Sequence, residues 1–269
     1  MNGLKRTLLI ACVFFIFCLL VPFLSTHNPF ETTGKSFVEP GTSYVIGTDD
    51  LGRDVLSQLL YGVRTSALVG GLAAAISGIL GILIGSLAGY YGGILDDILS
   101  RVTEIFLIIP SFFLALLIVS FYGRSIWYVA FVLGILSWPQ VARIARGEFL
   151  VLRDAMFVES ARSIGASTQN IVFKEILPNA VAPVAVAIML QIPRAIVSEA
   201  GLSYLGLGDP SSLSLGYLLY TSQSFYYQAW WLAVFPALAI LFLTLAFNVV
   251  GDRISEELNP KLRNLIGIP

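Results

Sequence analysis

Two ionisable residues, Arg194 and Glu199, lie inside a long and otherwise apolar stretch of this sequence. If that stretch crosses a membrane, each charge is costly in hydrocarbon and is expected to face a cavity or a partner group. The two residues are five positions apart, so they project from different faces of a helix, which argues against a direct pair. Two roles fit this pattern equally well, namely lining a path across the membrane and anchoring one helix to another.

The rest of the sequence offers none of the chemistry of an enzyme. Gly47 and Gly52 have the offset of a phosphate-binding loop, but Arg53 and Asp54 stand where lysine and serine or threonine are required. The single histidine, His27, lies at the edge of an apolar segment, and no Ser/His pair or metal-ligand cluster is apparent. We therefore expect no catalytic residue, no nucleotide site, no metal and no cofactor.

Composition places the elements that carry these residues in a membrane. Hydrophobic residues make up 57% of the 269 residues, charged residues make up only 12%, and the mean hydropathy is +0.83. A soluble domain has about twice that share of charge, and a helix needs about 20 apolar residues to cross the hydrocarbon core. The sequence predicts six spans, near 7–25, 67–91, 105–122, 126–145, 181–205 and 230–250. The fold class is then all-α, because a spanning chain must satisfy its backbone hydrogen bonds internally.

The distribution of positive charge predicts the orientation of the chain. Cations concentrate in cytoplasmic segments of membrane proteins. With the N-terminus inside, the cytoplasmic cations are Lys5, Arg6, Arg101, Arg143, Arg146, Arg153, Arg162, Lys174, Arg253, Lys261 and Arg263, and the external ones are Lys35, Arg53, Arg64 and Arg124. Both termini are therefore expected in the cytoplasm.

The predicted spans divide the chain into an N-terminal transmembrane helix (1–25), an external loop (26–66), a five-helix core (67–250) and a cytoplasmic tail (251–269). We expect the first span to be retained and not cleaved as a signal peptide. In the external loop, Asp54 is predicted to cap a short amphipathic helix that ends near Leu60 and lies on the outer membrane surface. Gly81, Gly85 and Gly89 recur every fourth residue, which forms a groove for close helix packing.

A polar loop at 146–180 interrupts the core on the cytoplasmic side. It is predicted to contain two short helices, at 154–164 and 168–176. Gly165 suits the left-handed position after the first helix, and Ser167 is a candidate cap for the second. Ile171 stands off the apolar stripe of the second helix, so we expect an exposed knob that fits a cleft in a partner.

The motifs of this loop resemble those of a known family. Glu159-Ser160-Ala161, with Gly165 six residues after Glu159, and Leu177-Pro178 resemble the EAA loop of ATP-binding-cassette (ABC) importer permeases. Five further stretches are similar to the C-type permeases of the dipeptide, oligopeptide and nickel subfamily, and the similarity extends from about Gly47 to Leu262. They are GTDDLGRDVLSQLLYGVRTS, GYYGGILDDILSRVTEIFLIIP, GASTQNIVFKEILPN, EAGLSYLGLG and AFNVVGDRISEELNPKL.

This resemblance implies a type I ABC importer permease in the plasma (inner) membrane of a prokaryote. The expected partners are a B-type permease, two ATPase subunits that hydrolyse ATP, an external substrate-binding protein and the lipid, but no nucleic acid. The loop is expected to couple to the ATPase, and Glu199 to lie near the outer gate of the translocation path. Arg194 is a candidate for the same path from its position in the span, since the family does not generally have an arginine there. The loop residues so assigned are Glu159, Ala161, Arg162, Gly165, Ala166, Ser167, Ile171, Leu177 and Pro178.

The expected function is half of a transmembrane path for dipeptides or oligopeptides. One alternative is an importer of nickel or another small solute. The alternative from another class is an ion-coupled transporter or channel. That class needs intramembrane carboxylates, and here the sequence offers essentially Glu199.

Overall fold

The computed structural model describes residues 2–258, with side chains described for residues 9–256. Residues 259–269, which include most of the predicted tail, lie outside the described part. The described chain is helical, and only an isolated bridge between Thr48 and Asp54 has strand geometry within it. The helices are α1 (Asn2–Leu20), α2 (Val55–Tyr91), α3 (Gly93–Ile108), α4 (Ser111–Tyr122), α5 (Ile126–Leu152), α6 (Met156–Ser163), α7 (Thr168–Asn170), α8 (Leu177–Met189), α9 (Gln191–Leu202), α10 (Leu215–Ser222) and α11 (Trp231–Leu258).

Four stretches of residues 2–258 are long and apolar enough to cross a membrane. They are Val55–Tyr91, Ile126–Leu152, Thr168–Leu207 and Trp231–Glu256, and α3 with α4 forms a fifth candidate if the bent pair is one span. The first predicted span corresponds to a shorter apolar helix over Leu9–Leu24. The chain is thus a multi-pass helical membrane protein, and the count of six spans stays a prediction.

The third predicted span, 105–122, is not the single uninterrupted helix that we expected. Helices α3 and α4 meet at an angle of 82°. Ile109, between them, has an extended backbone (φ −74°, ψ 126°), which is the conformation that a following proline imposes on its neighbour. Pro110 therefore ends the helix, and an uninterrupted span was the wrong prediction.

The prediction of a separate short amphipathic helix at the outer membrane surface is also wrong. Asp54 does cap a helix, since its side chain accepts a hydrogen bond from the Ser57 backbone at 2.9 Å. That helix, however, is α2 itself, which continues for 37 residues to Tyr91. Nothing between Leu60 and Ala67 breaks it, because the only glycine there, Gly62, is tolerated in a helix interior. At 1.5 Å per residue α2 is about 55 Å long, more than the hydrocarbon core requires.

The close packing of α2 against α5 is the main contact of the fold. A Cβ atom on Gly81 would lie 2.5 Å from Cβ of Val141, and one on Gly89 would lie 2.6 Å from Cβ of Phe149. Gly85 faces Ala145 in the same way, with 2.8 Å between the two Cβ positions. The predicted groove is confirmed, and α5 of the same chain occupies it.

The segment predicted to be external holds the N-terminal ends of α2 and α11 together. Asp49 accepts hydrogen bonds from the Arg53 guanidinium at 2.6 Å and from the Gln58 amide at 2.7 Å. The Trp231 indole donates to the Thr48 carbonyl at 3.1 Å and is itself buried. This segment is therefore a folded cap on the helices, stabilised by buried polar contacts.

We expect Gly85→Val to lower the yield of folded protein and its unfolding temperature. The added side chain overlaps the α5 backbone, and overpacking of this kind costs about 1–3 kcal/mol. Gly147→Ala is the matched control, because an added Cβ there meets nothing within 4 Å. Size-exclusion yield and thermal unfolding in detergent measure both effects. Equal unfolding temperatures for the two variants would contradict the close approach of α2 and α5.

Candidate functional site

The loop at 146–180, predicted to be cytoplasmic, is seated on the C-terminal ends of α2 and α5. Its buried side chains form an apolar cluster with these helices. The cluster contains Phe149, Val158, Ala161, Ile171, Ile176 and Ala180, with Tyr90, Leu152, Ala166, Val172 and Leu177 packed around them. The loop is therefore part of the folded core and not a solvated connector.

The bend between α6 and α7 has the geometry that the sequence predicts. Gly165 has φ +80°, a left-handed conformation that glycine adopts without a steric penalty. Its N–H donates to the Arg162 carbonyl at 2.9 Å, and the Ala166 N–H donates to the Ala161 carbonyl at 3.0 Å. This pair of bonds is the Schellman motif that ends a helix. Ser167 accepts a hydrogen bond from the Asn170 backbone and caps α7, as predicted.

The predicted exposure of Ile171 is wrong. Ile171 is 2% exposed and belongs to the apolar cluster, whereas Ile164 at the bend is 86% exposed. The reason is that residues Ile171–Ile176 form a π-helical turn, not an α-helical one. A π turn bonds residues five apart, so Ile171 and Ile176 point to the same side and Phe173 turns outward. The exposed large apolar residues of the loop are Val151, Met156, Phe157, Ile164 and Phe173.

Leu177 and Pro178 join the loop directly to a membrane helix. The π turn runs without a break into α8, where Pro178 occupies the first turn. Proline is tolerated in the first turn of a helix, because the N–H groups there have no partner within that helix. The Asn179 side chain donates to the Glu175 carbonyl at 2.6 Å. The second half of the loop, from Thr168, thus runs directly into α8.

Cations bind the loop and α5 to the neighbouring helices. The Arg162 guanidinium lies 6.0 Å from the centre of the Tyr90 ring on α2, within the range of a cation–π contact. Arg153 donates to the Gly89 carbonyl at 3.1 Å. Arg146 makes a two-pronged ion pair with Asp96 of α3, at 2.5 and 2.7 Å. Glu159, on α6, is exposed.

The structure separates the two ionisable residues of the membrane interior. Glu199 is 0% exposed and accepts hydrogen bonds from the Ser203 hydroxyl at 2.6 Å and the Ser66 hydroxyl at 3.2 Å. Ser66 in turn accepts from the Leu215 backbone at 3.2 Å. Glu199 therefore links α9 to α2 and α10, and this geometry favours the anchoring role over the pore-lining role.

Arg194 is exposed and lines an open cavity of about 480 Å³ between α4, α5, α9 and α11. Its guanidinium donates to the side-chain oxygen of Gln140, which also accepts a hydrogen bond from Gln191 at 3.2 Å. The break between α8 and α9 at Leu190 lies three residues before Pro193, whose ring excludes a regular turn there. That break orients the first turn of α9 toward the cavity.

Gln140, Gln191 and Asn248 line this cavity and were not among the predicted site residues. A signal for them exists in the sequence. Gln191, Arg194 and Ser198 are three and four residues apart, which places polar groups on one face of an apolar helix. Searching the spans for such polar faces, instead of for charges alone, would have found them.

Comparison with known proteins gives the family. Residues 81–264 match the model of the binding-protein-dependent transport system inner membrane component. The chain belongs to this family. A dipeptide transport system permease protein, DppC, of Haemophilus influenzae is 34% identical over 97% of this permease and 90% of its own length. A glutathione transport system permease protein, GsiD, of Pectobacterium atrosepticum is 35% identical over 97% of this chain and 86% of its own.

Solved structures support the same fold. The inward-facing MetNI methionine ABC transporter contains a chain that superposes with a TM-score of 0.62 at 21% identity, over 75% of this permease and 96% of that chain. The fold is therefore that of an ABC importer permease.

We expect Glu199→Gln to lower the unfolding temperature and the yield of the permease. The substitution replaces one carboxylate oxygen with an NH2 group, which cannot accept the hydrogen bond that a serine hydroxyl donates there. The loss of buried hydrogen bonds lowers the free energy of unfolding by about 1–3 kcal/mol. Glu104→Gln, at an exposed acid on α3, is the control. An unchanged unfolding temperature for Glu199→Gln would contradict the anchoring role.

Proposed function

We propose that this chain is the permease subunit of an ATP-driven peptide importer and forms half of its transmembrane path. Two observations support the proposal. The chain is a full-length match to a relative named for dipeptide transport, and its cytoplasmic loop presents exposed apolar side chains from a rigid seat. Within the described residues no cluster suited to a metal is present, and nothing favours nickel as the solute over a peptide.

The proposed topology has six spans with both termini in the cytoplasm of a prokaryote and the loop on the same side. The positive charge of the predicted inner segments supports this orientation. The external cap around Asp49 and Trp231 would then face the binding protein. A second, B-type permease would complete the path, and two ATPase subunits would bind beneath the pair.

The outer face of α6 and its bend is the proposed contact with the ATPase. Exposed apolar groups of this size are unusual on a surface that meets only water. Ile164 projects at the bend, with the exposed Glu159 and Arg162 on the same short helix. The buried residues Ala161 and Ile171 and the partly buried Ala166 and Leu177 hold the seat on the other side. Because this seat is rigid, a force on α6 is transmitted to α2, α5 and α8.

An ion-coupled transporter or channel is the alternative from another class. It requires an acid that a permeating ion can reach. Glu199 is enclosed by serine hydroxyls, and none of the residues that line the Arg194 cavity is acidic. The described interior therefore favours a path that is driven from outside the membrane.

Reconstitution tests the proposal. Proteoliposomes that contain this permease, its partner permease and both ATPases should take up a dipeptide only when ATP and the loaded binding protein are present. Uptake by this chain alone, or uptake driven by an ion gradient without ATP, would contradict the proposed function.

We expect Ile164→Glu to release the ATPase while leaving the membrane fold intact. The side chain is exposed, so its replacement removes a contact with the partner and none within the permease. Loss of one such buried contact costs about 2 kcal/mol or more, roughly a thirtyfold loss of affinity. Val45→Glu, the same change at an exposed residue of the predicted external segment, is the control for co-purification with the ATPase. Co-purification and peptide-stimulated ATP hydrolysis are the measurements, and full ATPase binding by Ile164→Glu would contradict the assignment.

A further inference from the structure

The cavity beside Arg194 carries a positive charge with no negative partner. Among the residues that line it, Arg194 is the single ionisable one, and the polar remainder includes Ser137, Gln140, Gln191, Ser198 and Asn248. A guanidinium inside a membrane protein is retained at a high cost, which is offset when an anion or water fills the cavity. The lining thus has the composition of a site for an anionic group.

The guanidinium is held in place and still has donors to spare. The side-chain oxygen of Gln140 accepts a hydrogen bond from one N–H group of Arg194, and the Gln191 amide donates to the same oxygen. Arginine has five N–H donors in a planar fork, and the one hydrogen bond to Gln140 among the described residues leaves four for a ligand in the cavity. A planar carboxylate is the anion whose two oxygens match that fork.

The predicted spans place the site at membrane depth. Arg194 is 13 residues beyond Val181, where the fifth predicted span begins, which corresponds to about 20 Å along the helix. The volume of about 480 Å³ is within the range of small-molecule sites, roughly 300–1,000 Å³. A short peptide therefore fits, whereas a site for a bare inorganic ion would not need such a volume.

We propose that Arg194, positioned by Gln140, binds the C-terminal carboxylate of the peptide as it crosses the membrane. This inference rests on the proposed function and adds a substrate contact to it. The permease then takes part in selecting its solute and is more than a passive channel below the binding protein. The polar amides and hydroxyls around Arg194 bind the peptide backbone through hydrogen bonds.

The test compares dialanine with dialanine amide in the reconstituted four-subunit complex. Each solute is supplied on saturated binding protein, and equal loading is verified by mass spectrometry, so selection before the membrane is removed from the comparison. The wild-type complex should transport dialanine about tenfold or more faster than the amide, since a hydrogen-bonded charge contributes about that factor.

Arg194→Gln should abolish this preference by slowing dialanine alone. Arg194→Lys, which keeps the charge but loses the fork, should retain part of it. Arg64→Gln, at an exposed arginine on α2 with no ion pair among the described residues, is the matched control and should keep the full preference.

Three results would overturn the inference. Arg194→Gln could slow both solutes equally, as expected if Arg194 pairs with a carboxylate of the partner permease. It could fail to assemble with the partner, which would assign Arg194 to the interface. It could also leave the preference unchanged. A wild-type complex that transports neither solute with ATP would instead contradict the proposed function, and this outcome is distinct from the other three.

Discussion

Helices α2 and α5 approach so closely at Gly81, Gly85 and Gly89 that a methyl group on any of them would overlap the facing helix. In lipid, apolar side chains gain little by leaving the hydrocarbon, so helices associate through close packing and hydrogen bonds between them. Small residues on α2 supply that packing along its inner half. The position of almost every other functional element follows from this contact.

The loop at 146–180 depends on the same contact for its seat. Phe149 and Tyr90 lie near the C-terminal ends of the two helices, and the loop's apolar side chains pack over them. Arg153 and Arg162 then tie α5 and the loop to the end of α2. A shift of α2 along α5 would break this seat, and so a movement of the loop and a movement of the two helices are expected to be one movement.

Much of this could be predicted from local sequence. Gly165, Ser167 and Asp54 fix their turns and caps through their own backbone and side-chain chemistry, and all three were predicted correctly. The burial of Ile171 was not, because a π turn changes the helical phase and no side-chain pattern announces it. The bend at Pro110 was missed because the apolar run continues across it. The cavity joins Gln140 to Arg194 across 54 positions of sequence, a proximity that only the packed helices create.

The distance between the loop and α2 in two nucleotide states tests most directly whether they move as one body. Spin labels are placed at Ser163→Cys and Ser86→Cys in a chain whose Cys12 and Cys18 are replaced by serine, and the complex is measured without nucleotide and with trapped ATP. We expect the same mean distance in both states, because the loop is part of the α2–α5 core. A shift of the mean by about one helical turn, ~5 Å, would show that the loop moves against its seat and would contradict a single moving body.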